Sequence, residues 1–323
     1  MNCIRQQVAT SRIATWLTLF ILTVGATLPL DAQTEAAPAV VHNTWTSGTS
    51  MPGATYGAAV GVIGKNIYVV GGANSQYCLS SNQIYNTKTN TWTTGASDPT
   101  ARGFDASAVV KGILYIFGGS NCSEQLDLVE AYDPATDSWT TLAPMPTTRQ
   151  AAAAVVDKDV IYVIGGANSG GVLTTVESYS TITNTWTEEA PLLVPDTNLA
   201  AGLLGKTIVE TDGGDGSGAT GDNEGYNLKE NTWAELTADP NPHQQACFAA
   251  IKGQLYVAGG SNNSGTVTTN EAYSPKTNSW TTLAPIPSAL DYSGSATVGG
   301  RLYCMGGAVD NFFIYPYVQI YQP

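Results

Sequence analysis

Six tryptophans stand 47 residues apart without a slip: Trp45, Trp92, Trp139, Trp186, Trp233 and Trp280. A fixed period of this length makes the chain a tandem array. Units that must bury their surfaces on one another leave few folds open. Other residues keep the same frame. Glycine pairs recur at Gly71-Gly72, Gly118-Gly119, Gly165-Gly166, Gly259-Gly260 and Gly306-Gly307, with Asp212-Gly213 in the fourth place. A tyrosine precedes the next tryptophan by seven residues at Tyr85, Tyr132, Tyr179, Tyr226 and Tyr273, and the sixth is displaced by one to Tyr321.

Within a period, four short runs enriched in β-branched and aromatic residues are bounded by polar, Gly- or Pro-containing turns; in the second copy they cover 104–110, 113–119, 129–132 and 138–141. These are strand signatures, and no helical period follows residue 32. The first run is rich in small residues (Ala151 to Ala154), as the crowded centre of a radial array requires. The second, such as Ile67-Tyr68-Val69-Val70, is apolar at successive positions, so both of its faces are expected to be covered. The string Glu130-Ala131-Tyr132-Asp133-Pro134-Ala135-Thr136-Asp137-Ser138-Trp139, preceded by Ile116-Phe117-Gly118-Gly119, closely resembles the kelch repeat. Over residues 44–323 the resemblance implies an all-β, six-bladed kelch-type β-propeller. The phase predicts how the ring closes. Residues 44–47 are a fourth strand with no first three before them, and the last copy has three strands and no fourth. The N-terminal strand is therefore expected to complete the C-terminal blade and remove open edges. The tryptophans, and Glu130, Glu177, Glu224 and Glu271, each two before a repeat tyrosine, read as recurring packing residues.

Residues 1–32 read as an export signal, with Arg5 and Arg12 before an apolar stretch from Ile13 to Leu30 and a small residue, Ala32, at the cut site. An uncleaved signal anchor is the alternative. Residues 33–43 form a linker, residues 44–323 the propeller, and the location expected is secreted or periplasmic. Cleavage removes two positive charges and one negative, moving the net charge from −13 to −14. Such acidity argues against nucleic acid and anionic membranes as partners. No integral membrane domain is expected after cleavage, and the protein is expected to be a monomer. Cys78 and Cys122 lie in equivalent loops of adjacent blades, a spacing that allows a disulfide; Cys247 and Cys304 read as buried free thiols. No metal-ligand spacing and no cofactor motif is present. The acidic run around Asp212, Asp215 and Asp222 fits no EF-hand loop.

Charges sort between the two faces of such a ring. The lysines fall in first-to-second or third-to-fourth turns, away from the channel mouth, whereas Arg102 and Arg149 share one repeat position at the mouth. Two readings stand: an anion clamp built from planar donor forks, or ties between loops. Tyr56, Asn198, Gln245, Asp291 and Tyr292 are neighbours around the ring and candidate ligand contacts. Asn74, Asn121, Asn168 and Asn262 recur as turn residues. The last blade carries an aromatic insert, Phe312, Phe313, Tyr315 and Tyr317, which either folds back or forms a stacking platform. Glu210 stands where other copies hold Val69, Ile116, Val163, Val257 or Cys304. It is either turned outward by a bulge or is a buried acid with a raised pKa, and it is the best acid/base candidate, with His243 the other.

The first functional reading is an exported binding protein with a polar, arginine-bearing pocket for an anionic small molecule, glycan or peptide. The second is an enzyme: exported six-bladed kelch proteins include N-acetylneuraminate epimerases (mutarotases), for which Arg102, Arg149, Glu210 and His243 are the nominees. A galactose-oxidase-like copper site is set aside, because His42 and His243 are the only histidines.

Overall fold

The structure, a computed structural model, describes residues 42–309 and 313–323. The signal-like segment, nearly all of the linker, and Phe312 of the aromatic insert lie outside the described residues. Among the described residues no helix is long and apolar enough to cross a membrane.

Six four-stranded antiparallel sheets follow one another in the sequence. Blade 1 is built from Ala59–Ile63, Asn66–Val70, Asn82–Asn86 and Thr91–Gly95, and blade 2 from Ala106–Val110, Ile113–Phe117, Val129–Asp133 and Ser138–Thr141. Blade 3 comprises Ala153–Asp157, Val160–Ile164, Val176–Ser180 and Thr185–Glu188, and blade 4 Ala200–Leu204, Thr207–Thr211, Asn223–Asn227 and Thr232–Glu235. Blade 5 holds Cys247–Ile251, Gln254–Ala258, Asn270–Ser274 and Ser279–Thr282. Blade 6 takes Gly294–Val298, Arg301–Met305 and Val318–Gln322 from the C-terminal end and Thr44–Ser47 from the N-terminal end. Trp45 pairs with Tyr321 in that last sheet, so the ring closes as the repeat phase predicts.

The periodic residues bind each blade to the one before. Every repeat tryptophan donates its indole N–H to a carbonyl of the preceding blade's outer end: Trp139 to Ala96 at 2.9 Å, Trp186 to Ala143 at 3.0 Å, and at closure Trp45 to Ala284 at 2.8 Å. The tyrosine stacks on the tryptophan at about 5.0 Å and donates to an Asn or Asp in the outer hairpin, as Tyr179 does to Asn184 at 2.7 Å. That turn residue sits at positive φ in every blade, 56° at Asn184 and 55° at Asn43, a conformation Asn and Asp tolerate best. Its Oδ1 also accepts the neighbouring blade's N–H, Ala284 to Asn43 at 2.8 Å. The core lies between blades, where sheet faces meet; Ala153, Val155 and Ile164 of blade 3 pack with Ala201, Ile208 and Tyr226 of blade 4.

Around the channel mouth, one residue per blade takes a left-handed conformation: Gly57, Phe104, Ala151, Asn198, Gln245 and Tyr292, with φ of 61°, 58°, 54°, 59°, 60° and 52°. Each donates its backbone N–H to the carbonyl of its predecessor, at 2.6–2.9 Å, and Gly57 donates to Tyr292. The hydrogen bonds form a closed circle of six.

Two disulfides link adjacent blades. Cys78–Cys122 joins blades 1 and 2, as the spacing allowed. Cys247–Cys304 joins blades 5 and 6 and corrects the expectation of free thiols: first and second strands of neighbouring blades face each other, bringing these Cα atoms to 5.7 Å.

Removing residues 42–48 deprives Tyr321 of its stacking partner and exposes the edge of Val318–Gln322. Thermal denaturation should show a fall of several degrees, and Trp45→Ala alone should cost about 3 kcal/mol, the low end of the range for a buried tryptophan because this one is only part-buried.

Candidate functional site

The first strands are spaced by small side chains, and between them lies a central cavity of about 300 Å³ open at the mouth. This is the small end of the range for ligand pockets. Its rim is set by the left-handed ring, which aims side chains inward. Phe104 and Tyr292 meet edge to face at 5.1 Å, and Tyr56 packs on both, at 5.6 and 5.9 Å. Gln245 Nε2 donates to Tyr292 Oη at 2.8 Å, while Gln245 Oε1 accepts from Ser261 Oγ at 2.8 Å. Asn198 lines the wall beside Gln245, and Ala151 to Ala154 give it an apolar stretch. Burial raises the pKa of Tyr292 and Tyr56, and the charge of buried Asp291 adds to both shifts. Among the described residues Asp105 is the one charged residue lining the cavity. Desolvation holds its carboxyl well above the usual carboxylate range, against the pull of the Arg102 guanidinium. Neither Phe104 nor Asp105 is singled out by the sequence. The signal that finds them is their place two and three residues after Arg102, the positions equivalent to Gln245 and Ala246.

The sequence nominees separate into two groups. Tyr56, Asn198, Gln245 and Tyr292 converge at the mouth, and Asp291 lies buried next to Tyr292. Arg102, Arg149, Glu210 and His243 are all at most 1% exposed, and none lines the cavity. In the aromatic insert Tyr315 and Tyr317 stack on each other at 5.0 Å, and Phe313 remains 65% exposed at the protein surface. The recurring Asn residues serve turns, as Asn74 Oδ1 accepts from Gln76 and Tyr77.

Both arginines are loop ties. Arg102 donates to Asp98 at 3.1 Å, to Glu130 at 2.8 Å and to the Gly118 carbonyl at 3.4 Å. Arg149 pairs with Glu177 at 2.6 Å and donates to the carbonyls of Gly165 and Thr175 at 3.0 and 2.9 Å. Buried guanidinium groups already engaged in this way leave no fork to clamp a ligand anion. The internal repeats carry a signal that foretells it. Arg102, Arg149 and His243 each have a glutamate 28 residues on, whereas Thr55 has Gln83 at that distance. Gln83 and Gln319 instead grip the connecting loops through backbone N–H and C=O groups.

Blade 4 departs from this scheme. Asp196 takes the arginine position, and Glu224, the partner carboxylate, accepts from the N–H groups of Leu193 and Val194 at 3.0 and 3.1 Å. Glu210 pairs in unbroken register with Ala201 and Glu224, so no bulge turns it outward. Its carboxyl is buried against that of Asp196, whose Oδ1 accepts from Thr197 and Gly214. Two carboxyls in one dry site share a proton, since both cannot ionise cheaply. Desolvation first, then the neighbouring Asp196, raises Glu210 well above its ordinary value; Asp196 itself is pushed up to about 7, chiefly by desolvation.

The comparisons with known proteins agree with this architecture. A model of the KLHDC2/KLHL20/DRC7 kelch-repeats domain matches residues 39–195, and a kelch-motif model matches residues 242–287. The chain carries kelch repeats, folded as a six-bladed β-propeller. No curated protein matches its sequence. Among solved structures it is similar to one titled "Structure of YjhT", with a TM-score of 0.73 and 17% identity over 83% of this chain and 95% of that one. At that identity the likeness is one of fold.

Arg149→Ala leaves Glu177 buried and unpaired and should cost about 3–5 kcal/mol in chemical denaturation. The carboxyl pair of blade 4 sets a pH trend of known sign. Its folded-state pKa values lie above the unfolded ones, so its contribution to stability is fully present only below the unfolded Asp196 value of 3.8 and is lost as pH rises from there through about 7. Glu210→Gln should lose less stability than the parent between pH 5 and pH 8, which denaturant titrations at several pH values will read.

Proposed function

We propose that the protein binds a small, hydroxyl-rich, uncharged ligand of the carbohydrate class at the channel mouth. The observation that carries this reading is the lining: aromatic faces from Phe104 and Tyr292 on one side, the amides of Asn198 and Gln245 on the other, and no cation. Aromatic rings stack on the apolar face of a sugar, while amides exchange hydrogen bonds with its hydroxyls. Of the ligand classes the sequence leaves open, an anion is disfavoured because no described residue of the cavity wall carries a basic side chain. The lining residues are held by the backbone ring and by each other, so binding is expected without large rearrangement.

Export remains part of this proposal, and the two interblade disulfides support it, since such bonds persist in oxidising compartments. A catalytic reading of the mutarotase type finds support in a single group. Asp105 lies on the cavity wall with its pKa raised, as a general acid requires, whereas Glu210 and His243 lie away from the cavity wall.

Isothermal titration against neutral and acidic sugars should find binding among the neutral ones. Tyr292→Ala and Gln245→Ala should each weaken it by about tenfold or more, the loss of one stacking or hydrogen-bonding contact. Arg301, far from the mouth, serves as a control position. Binding that survives both substitutions, or that is confined to acidic sugars, would overturn the reading. Anomerisation accelerated by the parent but not by Asp105→Asn would favour the catalytic one.

A further inference from the structure

Blade 5 repeats the arginine tie of blade 2 with altered chemistry. Asp98, Arg102 and Glu130 correspond, three periods on, to Asp239, His243 and Glu271. At the first glycine of the pair, where blade 1 sets Gly71 beside Arg102, blade 4 contributes Asp212 to the corresponding boundary. Blade 2 therefore sets two carboxylates against a permanent cation. The boundary of blades 4 and 5 sets three carboxylates against an imidazole, all of them buried.

The polar atoms there point at one another without closing. His243 Nε2 lies 3.5 Å from Asp239 Oδ2 and 3.7 Å from Asp212 Oδ2, and these donors all fall within 4.8 Å of one another. None of the three atoms has a hydrogen-bond partner of good geometry, nor has Glu271 Oε2. Such separations are too long for hydrogen bonds but match the spacing of ligands bound about 2.0–2.2 Å from a common ion. The other histidine nitrogen is already committed. Nδ1 donates to the Gly259 carbonyl at 2.5 Å, the backbone contact that fixes a tautomer with the Nε2 lone pair free. Glu271 is held by Asn241 and Thr282 through its other oxygen.

The geometry points to a buried divalent-metal site formed by His243 Nε2, Asp212 and Asp239, taking a first-row cation such as Zn²⁺ and pinning blade 4 to blade 5. One imidazole among carboxylates suits Zn²⁺ or Mn²⁺ better than an all-oxygen cage would. The ion offsets the excess negative charge that an arginine offsets, in part, in blade 2. The site is separate from the channel cavity, none of whose lining residues belongs to it. It therefore stands or falls independently of the sugar-binding reading. Sequence spacing hides it because its ligands come from the second strand's end, a connecting loop and the start of the next blade.

The repeats supply a variant that should fold. His243→Arg restores the blade 2 tie, with Asp239 and Glu271 in the places of Asp98 and Glu130, and Asp212→Gly restores the usual glycine pair. The full chain, stripped of metal, is to be exposed to Zn²⁺ or Co²⁺ both folded and during refolding, then desalted. The parent should retain one equivalent by mass spectrometry, show visible Co²⁺ absorption, and gain several degrees in Tm with Zn²⁺. His243→Arg and Asp212→Gly should keep the far-UV circular dichroism of the parent and retain no metal. If the parent retains no stoichiometric metal by either route, or if His243→Arg retains as much, the assignment is overturned and the cluster is a tie between loops only.

Discussion

Six backbone hydrogen bonds around the channel mouth hold the centre of the molecule, and they exist only because six residues accept a left-handed conformation. Five of the six are not glycine, and each such residue carries a cost of about 1–2 kcal/mol. The cost is tolerated because the ring satisfies one donor and one acceptor per blade in a place that water would otherwise have to reach. It also turns the side chains of Phe104, Asn198, Gln245 and Tyr292 toward the cavity. The binding surface is thus a by-product of the way the blades are joined.

Outside this inner circle, a second layer of ties varies from blade to blade. Arg102 and Arg149 occupy it in two blades, His243 in a third, Thr55 and Asp196 in two more, and Leu290 in the last. All are buried. Where the residue is a permanent cation its partner is a glutamate, and where it is Thr55 or Leu290 the glutamate's place is taken by Gln83 or Gln319, which bond the backbone of Gly53 and Ser288 instead. The layer tolerates such exchange because the carbonyls it grips, those of the glycine pairs, are fixed by the backbone. Chemical individuality in this protein therefore lies in two buried places, the carboxyl pair of blade 4 and the histidine cluster of blade 5, as well as at the mouth.

Fold was legible because it depends on spacing. The tryptophan ruler, the orphan strand at Thr44–Ser47 and the shift of Tyr321 each have a direct counterpart; the last follows from a connection before Val318–Gln322 that is one residue longer than its equivalents. The site was legible in part. Tyr56, Asn198, Gln245 and Tyr292 could be placed at the mouth because repeat position fixes the face. The arginines could not be told from ligand contacts by position, since mouth-side loops have a buried underside as well as an exposed rim. Glu210 was ambiguous for a different reason: burial of a lone carboxyl is costly, and only the presence of Asp196 across the gap makes it tolerable. The second disulfide escaped because Cys247 and Cys304 belong to different strand positions of the repeat, and facing across blades is not a sequence relation.

The clasp in blade 6 has a geometric consequence. His42 Nδ1 donates to the Pro323 carbonyl at 2.5 Å, so the two ends of the described ring lie side by side on the outermost strand of blade 6 and its immediate neighbour. The outer strand is as far from the channel as the blade allows. Both ends of the described ring are thereby kept clear of the first strands, which line the cavity. The ring is latched like a belt whose buckle sits on its outer edge and not across the opening it encloses.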